Sequence, residues 1–299
     1  MAREIVKEDI ALIKGLMGKV LGTDEYAELS RMGGLTNHTY KVTLNNGDEY
    51  VVRIPGEGTE DMIVRKDEMV STKLACELGV DAEMLYFGED GAKVTRYIPN
   101  AVTMSSETLA DPERIKQMAE IFRKIHTSGV DTKVPFEVFE MASGYEKIIS
   151  DKNVPMFDDY AEMKAEVMKI KTEIDAVIDI KKVPCHNDPL CENWVAGDGR
   201  MYLIDWEYAG MNDGMWDVAD VSIEACFDSR YDKMLLSAYL GREPEAIDEK
   251  HFLANKIYVD YLWTLWAKTR VPYDGQPMED WALERYTRLK GFVEDYKEI

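Results

Sequence analysis

The sequence predicts an α+β chain of two lobes, a strand-rich N-terminal lobe with one helix followed by a mainly helical C-terminal lobe. Three observations carry this. Alternating apolar residues and hairpin turns fill the first hundred positions. From Pro99 onward the apolar spacing turns helical. The 299 residues suffice for two lobes, and with 45% hydrophobic content the chain can bury a core without disulfides or metals.

Thr39–Leu44 alternates, with Tyr40, Val42 and Leu44 on one face, and Asn45-Asn46-Gly47 turns the chain into a second strand, Glu49–Ile54. Asp61–Leu78 has helical spacing through Ile63, Val70, Leu74 and Leu78. A second hairpin joins Met84–Phe87 to Ala92–Ile98 through Asp90-Gly91. Asp111-Pro112 starts a helix, Asp as cap and Pro in the first turn, with Ile115, Met118, Phe122 and Ile125 on one face. Lys182–Ile204 reads as short strands and loops, and Glu249–Arg270 and Glu279–Tyr296 as long helices separated by a loop containing Pro272, Gly275 and Pro277. The lobes divide as 1–98 and 99–299, with a hinge near Tyr97–Asn100.

Composition narrows the partners. The net charge of −21 repels nucleic acid and anionic membrane and favours a cationic small molecule. The N-terminal MAREIVKEDI lacks an apolar signal core and no stretch reaches membrane-spanning length, so a cytoplasmic protein without membrane insertion is expected. Cys76, Cys185, Cys191 and Cys226 form no CxxC pair, and His38, His126, His186 and His251 show no zinc spacing.

The strongest motif is His186-Asn187-Asp188-Pro189-Leu190-Cys191-Glu192-Asn193, the pattern HxDxxxxN, followed by Leu203-Ile204-Asp205-Trp206-Glu207. Phosphoryl transfer from ATP needs a carboxylate to take the proton of the acceptor hydroxyl and oxygen ligands to hold Mg²⁺ against the phosphates. Asp188 is the expected base, and Asn193 and Asp205 are the expected magnesium ligands, their hard oxygens suiting that ion. The apolar run Met201–Ile204 delivers Asp205 on a buried strand. The competing reading is a buried polar loop capped by Asp188. Gly33 and Gly34 let backbone N–H groups approach phosphates, with Thr36 and Asn37 adding side-chain donors, although Gly-Gly alone equally suits a plain hairpin turn. Arg53, with Glu68 to aim it, supplies a forked cation for the α- and β-phosphates; either residue alone could be a solvated surface charge.

On GGLTNHTYKV, CHNDPLCENW, MYLIDWEYAGMNDGMWDVAD and YLWTLWAKTR the chain resembles the choline/ethanolamine kinase family, of the bacterial LicA type, within the aminoglycoside-phosphotransferase and protein-kinase-like group. The similarity runs from about Ala27 to about Gly291. The resemblance implies a protein-kinase-like bilobal fold and an ATP-dependent choline kinase that forms phosphocholine. It implies Asp188 as the catalytic Asp, Asn193 and Asp205 on magnesium, Arg53 and Glu68 as the phosphate-gripping pair, and Gly33 to Asn37 as the phosphate loop. It also implies that the backbone around Tyr97 and Ile98 meets adenine. Trp263, Trp266 and Trp281 would wall the acceptor pocket, with Glu224 as counter-charge and Tyr208 as a further contact. Tryptophan faces suit a quaternary ammonium; by spacing alone, two Trp three apart on a helix equally suit core packing. Asp217, His126 and His186 are expected to support the catalytic loop. The chain departs from protein kinases in having two glycines in place of GxGxxG, Trp206-Glu207 in place of the Phe-Gly of DFG, and no APE-ended activation loop, which argues against protein substrates. The alternatives are an ethanolamine kinase, an aminoglycoside or other small-molecule phosphotransferase, and a non-catalytic binding protein of the same fold.

Overall fold

In the computed structural model, which describes residues 4–32, 37–56 and 64–299, the chain divides into two units, Met1–Met104 with Glu192–Ala209, and Ser105–Cys191 with Gly210–Ile299. A single cut after residue 98 would have given Glu192–Ala209 to the second unit. Backbone bonds hold that segment in the first: Leu203 N–H donates to the Val80 carbonyl at 2.9 Å and Asp198 N–H to that of Pro99 at 3.0 Å. The strand Trp194–Gly197 pairs with Val102–Thr103 and with Arg200–Leu203, and Ala82, Ile98, Val195 and Tyr202 share one small core.

The main sheet of the first unit is antiparallel, in the order Glu28–Arg31, Asn37–Thr43, Glu49–Pro55, Lys93–Arg96, Met84–Phe87. Tyr40, Val42, Tyr50, Val52, Ile54 and Val94 form its buried face. Alternation in the sequence translates directly into this face, because strand side chains point to opposite sides. The expected hairpin turn closes through Gly47, whose φ of +89° only glycine adopts freely. A helix that the strand reading omits, Lys7–Leu21, covers the sheet with Ile13 and Met17. The helix Arg65–Glu77 follows; the earlier positions assigned to it, 61–63, lie outside the described residues, as do Gly33, Gly34 and Thr36.

In the second unit, Asp111 caps the helix Pro112–His126 by accepting from the N–H groups of Glu113 and Arg114, and Ile115, Met118, Phe122 and Ile125 are fully buried. Lys182–Cys185 pairs antiparallel with Gly210–Asp213, and the helix Gly214–Glu224 starts directly from that strand. The helix Ala246–Asp274 is buried on nearly all sides from Phe252 to Thr269 and packs against Gln276–Glu298. The loop expected between them shrinks to Gly275. Pro272 lies inside the first helix, and Pro277 occupies the first turn of the second, where a missing N–H costs nothing. No helix among the described residues is long and apolar enough to cross a membrane.

Candidate active site

In the first unit the central strand Glu49–Pro55 carries Arg53 inward. Its side chain is 6% exposed and makes an ion pair with Glu68 at 2.6 Å. The Arg53 Nη2 donates to the Gly91 carbonyl at 2.9 Å, so the glycine of the second hairpin also orients the fork. A side chain at Gly91 would collide with Arg65. Arg65 opens the helix that carries Glu68; its Nη1 donates to Glu68 at 2.8 Å and to Glu207 at 3.1 Å. Asn37 also donates to Glu207, and Arg53 lies 3.2 Å from the same oxygen. Arg65 and Glu207 are thus members of this cluster that the motif reading did not assign, although Glu207 stood in the quoted motif and Arg65 lies three residues ahead of Glu68.

The electrostatics are those of a balanced buried network. Burial works against the Arg53 charge, but Glu68, Asp205 and Glu207 outweigh it and hold the guanidinium charged. Burial likewise raises the Glu68 carboxyl, and the stronger pull of Arg53 brings it below the usual carboxylate range. Glu207 moves the other way: burial and the Asp205 charge push it up against the attraction of Arg53.

Asp205 follows the strand Arg200–Leu203 with φ +70°, a conformation that costs a non-glycine residue energy and turns its side chain out of the strand direction. That side chain is 46% exposed, 3.7 Å from Arg53 Nη1, and is the open carboxylate of the cluster. Oxygens of Glu68, Asp205 and Glu207 lie within 4.8 Å of one another; Arg53 and Arg65 already hold those of Glu68 and Glu207, which leaves the Asp205 carboxylate as the hard oxygen open to a divalent cation. Asn193 is buried in the short turn Cys191–Asn193, and its carbonyl accepts from Ile204 N–H at 2.9 Å, tying it to the residue before Asp205. Trp206 is buried and its indole N–H donates to Leu203. Tyr208 is half-buried in this unit. Tyr97 N–H donates to the Glu49 carbonyl at 3.1 Å, and the Ile98 side chain belongs to the small core with Ala82.

In the second unit the loop carrying Asp188 hangs on Asp217. The Asp217 carboxylate is completely buried and accepts from His186 N–H at 2.8 Å and Asn187 N–H at 2.7 Å, while His126 Nε2 lies 3.0 Å away. Asn187 has φ +67°, and its carbonyl accepts from the Trp216 indole N–H at 3.0 Å. The first two residues of the motif are therefore clamped, and Asp188, half-buried, follows them directly. His186 Nδ1 takes part in this support, 3.3 Å from Asp188 N.

The indoles lie in a row. Trp263 and Trp266 meet edge to face with centroids 6.2 Å apart, and Trp266 meets Trp281 the same way at 5.8 Å. Trp263 is buried, whereas Trp266 and Trp281 are half-buried. Arg285 stacks on the Trp281 ring at 4.3 Å, donates to Asp260 at 3.1 Å and also donates to Glu224. Arg288 donates twice to Asp260, at 2.7 Å each. Arg285 and Asp260 were invisible to motif reading because lone charges on long helices carry no spacing signal.

A family model described as choline/ethanolamine kinase matches residues 30–264. The chain is 28% identical over 264 residues to Protein LicA of Haemophilus influenzae, covering 86% of this chain and 77% of that one. It superposes with a TM-score of 0.84 on a choline/ethanolamine kinase family protein from Mesorhizobium loti, at 34% identity over 95% of this chain and 94% of the other. With the choline kinase LicA from Streptococcus pneumoniae the TM-score is 0.83, at 30% identity over 97% of this chain and all of that one.

Proposed function

The chain belongs to the choline/ethanolamine kinase family and is a phosphotransferase with an alcohol group as acceptor; on that premise we propose that it transfers the γ-phosphate of ATP, with Mg²⁺, to the hydroxyl of choline, forming phosphocholine. Little covalent chemistry falls to the protein in such a transfer, which depends on positioning and charge. Asp188 accepts the hydroxyl proton as the oxygen attacks. Arg53, aimed by Glu68, grips the phosphates; Gly33, Gly34, Thr36 and Asn37 form the phosphate loop, and the backbone at Tyr97 and Ile98 meets adenine. Asn193 and Asp205 would hold the magnesium ion, which when bound would neutralise charge on the phosphate oxygens. Glu224, Trp263, Trp266, Trp281 and Tyr208 receive the acceptor. On this reading the enzyme works in the cytoplasm.

The observation that carries the choice of choline is the edge-to-face row of indoles with half-exposed Trp266 at its centre. A quaternary ammonium donates no hydrogen bond and is held by aromatic faces. The second reading, ethanolamine, is favoured by Arg285, which already covers one Trp281 face beside the Glu224 carboxylate. A primary ammonium seeks such acceptors. An ATP-coupled assay across choline, ethanolamine and aminoglycosides separates these readings. A higher kcat/KM for choline is expected; a preference for ethanolamine selects the second reading, and no turnover of any acceptor overturns both.

A further inference from the structure

Asp220 is used by none of the roles above. It lies on the helix Gly214–Glu224 one turn before Glu224, so the two carboxyl groups share a face. It is 1% exposed, and neither of its side-chain oxygens has a hydrogen-bond partner among the described residues. Buried carboxyl groups are normally paired, since an isolated one costs several kcal/mol of desolvation, on the order of 2–7 even for a neutral polar group. The charges facing it are Glu224 and Asp217 on its own helix, Asp188 on the catalytic loop, and Arg285 on the C-terminal helix. Arg285 is the one cation in that set, and it spends Nη1 on Asp260 and Nη2 on Glu224. The surroundings of Asp220 therefore hold more negative charge than the guanidinium offsets. Burial first, then Glu224 and Asp188, push its carboxyl well above the usual carboxylate range.

We propose that Asp220 is a specificity-determining residue of the acceptor site, a buried carboxyl that adds negative charge behind Glu224 when a cationic acceptor arrives and so makes the site select a charged head group over a neutral one of the same shape. The inference rests on the reading of Glu224 and the indoles as the acceptor site. Asp220 acts at a distance: being shielded, it does not touch the acceptor. The arriving ammonium offsets the repulsion from Glu224 and Asp188, which favours the ionised form of Asp220. Its proton passes to solvent as the cation binds, leaving carboxylate and ammonium in the site. Cation binding and Asp220 ionisation are thus linked, and selectivity for the charged acceptor rises with pH until Asp220 is ionised without it.

The test compares choline with its uncharged carbon isostere, in which a carbon replaces the quaternary nitrogen. The KM of choline and the inhibition constant of the isostere against it are measured in the native enzyme and in Asp220→Asn. Selectivity for choline is expected to fall about tenfold in Asp220→Asn, the size of a single partly buried charge interaction, with the KM of ATP unchanged. An equal weakening of both ligands, or no change in either, overturns the inference. In the native enzyme, which requires no variant to fold, the ratio of the two constants should rise with pH above the ordinary carboxylate range; a flat ratio overturns it as well. Failure of the acceptor reading itself is distinguishable, since Trp266→Ala would then leave the KM of choline unchanged.

Discussion

The clamp on the loop that carries Asp188 gives the most direct prediction. Asp217→Asn keeps the shape of the side chain but leaves one carbonyl oxygen and one amide where two carboxylate oxygens each accept a buried backbone N–H, from His186 at 2.8 Å and from Asn187 at 2.7 Å. The amide is itself a donor, so one of the two N–H groups loses its acceptor. An orphaned buried donor costs about 1–3 kcal/mol. The remaining bond also loses its charge assistance, which makes such bonds about twice as strong as neutral ones. Together these give a loss of about 2–4 kcal/mol. Because the lost bonds hold the residues immediately before Asp188, kcat should fall more than the KM of ATP rises. Urea denaturation and steady-state kinetics on the purified variant read both effects. A stability change under about 0.5 kcal/mol, the range of inert surface substitutions, together with an unaltered kcat, would refute the reasoning.

Asp188→Asn should lower kcat by about 10²–10⁴-fold while nucleotide binding survives, measured by coupled assay and by fluorescent-nucleotide titration; near-native turnover contradicts the assignment of the base. Trp266→Ala should raise the KM of choline by an amount corresponding to as much as about 2 kcal/mol, with a much smaller change for ATP, and equal effects on both would mark core damage instead. Asp81 is buried, its carboxyl pushed up to about 6 by desolvation against the partial relief of Lys93 and the Ala82 N–H. A folded-state value above the unfolded one means that the native state binds the proton more tightly, so this group favours folding at low pH and disfavours it as pH rises through about 4 to 6. Asp81→Asn should therefore gain up to about 3 kcal/mol over the native chain above pH ~7 and little below pH ~4, in denaturation curves across pH; a gain independent of pH would show another cause.

Short-range chemistry made much of this chain legible. The strand alternation through Tyr40, Val42 and Leu44 and the Asp111-Pro112 helix start depend on a residue and its near neighbours, and they recur at the same positions in the structure. The support role of Asp217 was also readable, because it follows the HxDxxxxN motif within a contiguous block. The helix Lys7–Leu21 was missed because only Ile13 and Met17 bury deeply among its apolar residues, a weak stripe beside strong strand signals. The loop placed at Pro272 was wrong because tertiary packing carries the helix through it to Gly275.

By itself the sequence determined the fold class and the residue types able to run phosphoryl transfer, since both follow from local periodicity and from contiguous motifs. Only the tertiary structure decided which charges answer one another. Beyond the expected Arg53–Glu68 pair, Arg53 and Arg65 meet on one oxygen of Glu207, Arg285 is shared between Glu224 and Asp260, and Asp220 is left without a partner among the described residues. Those pairings join positions far apart in the chain, and a buried charge is governed by what lies within a few ångströms of it in space, which spacing along a sequence does not encode.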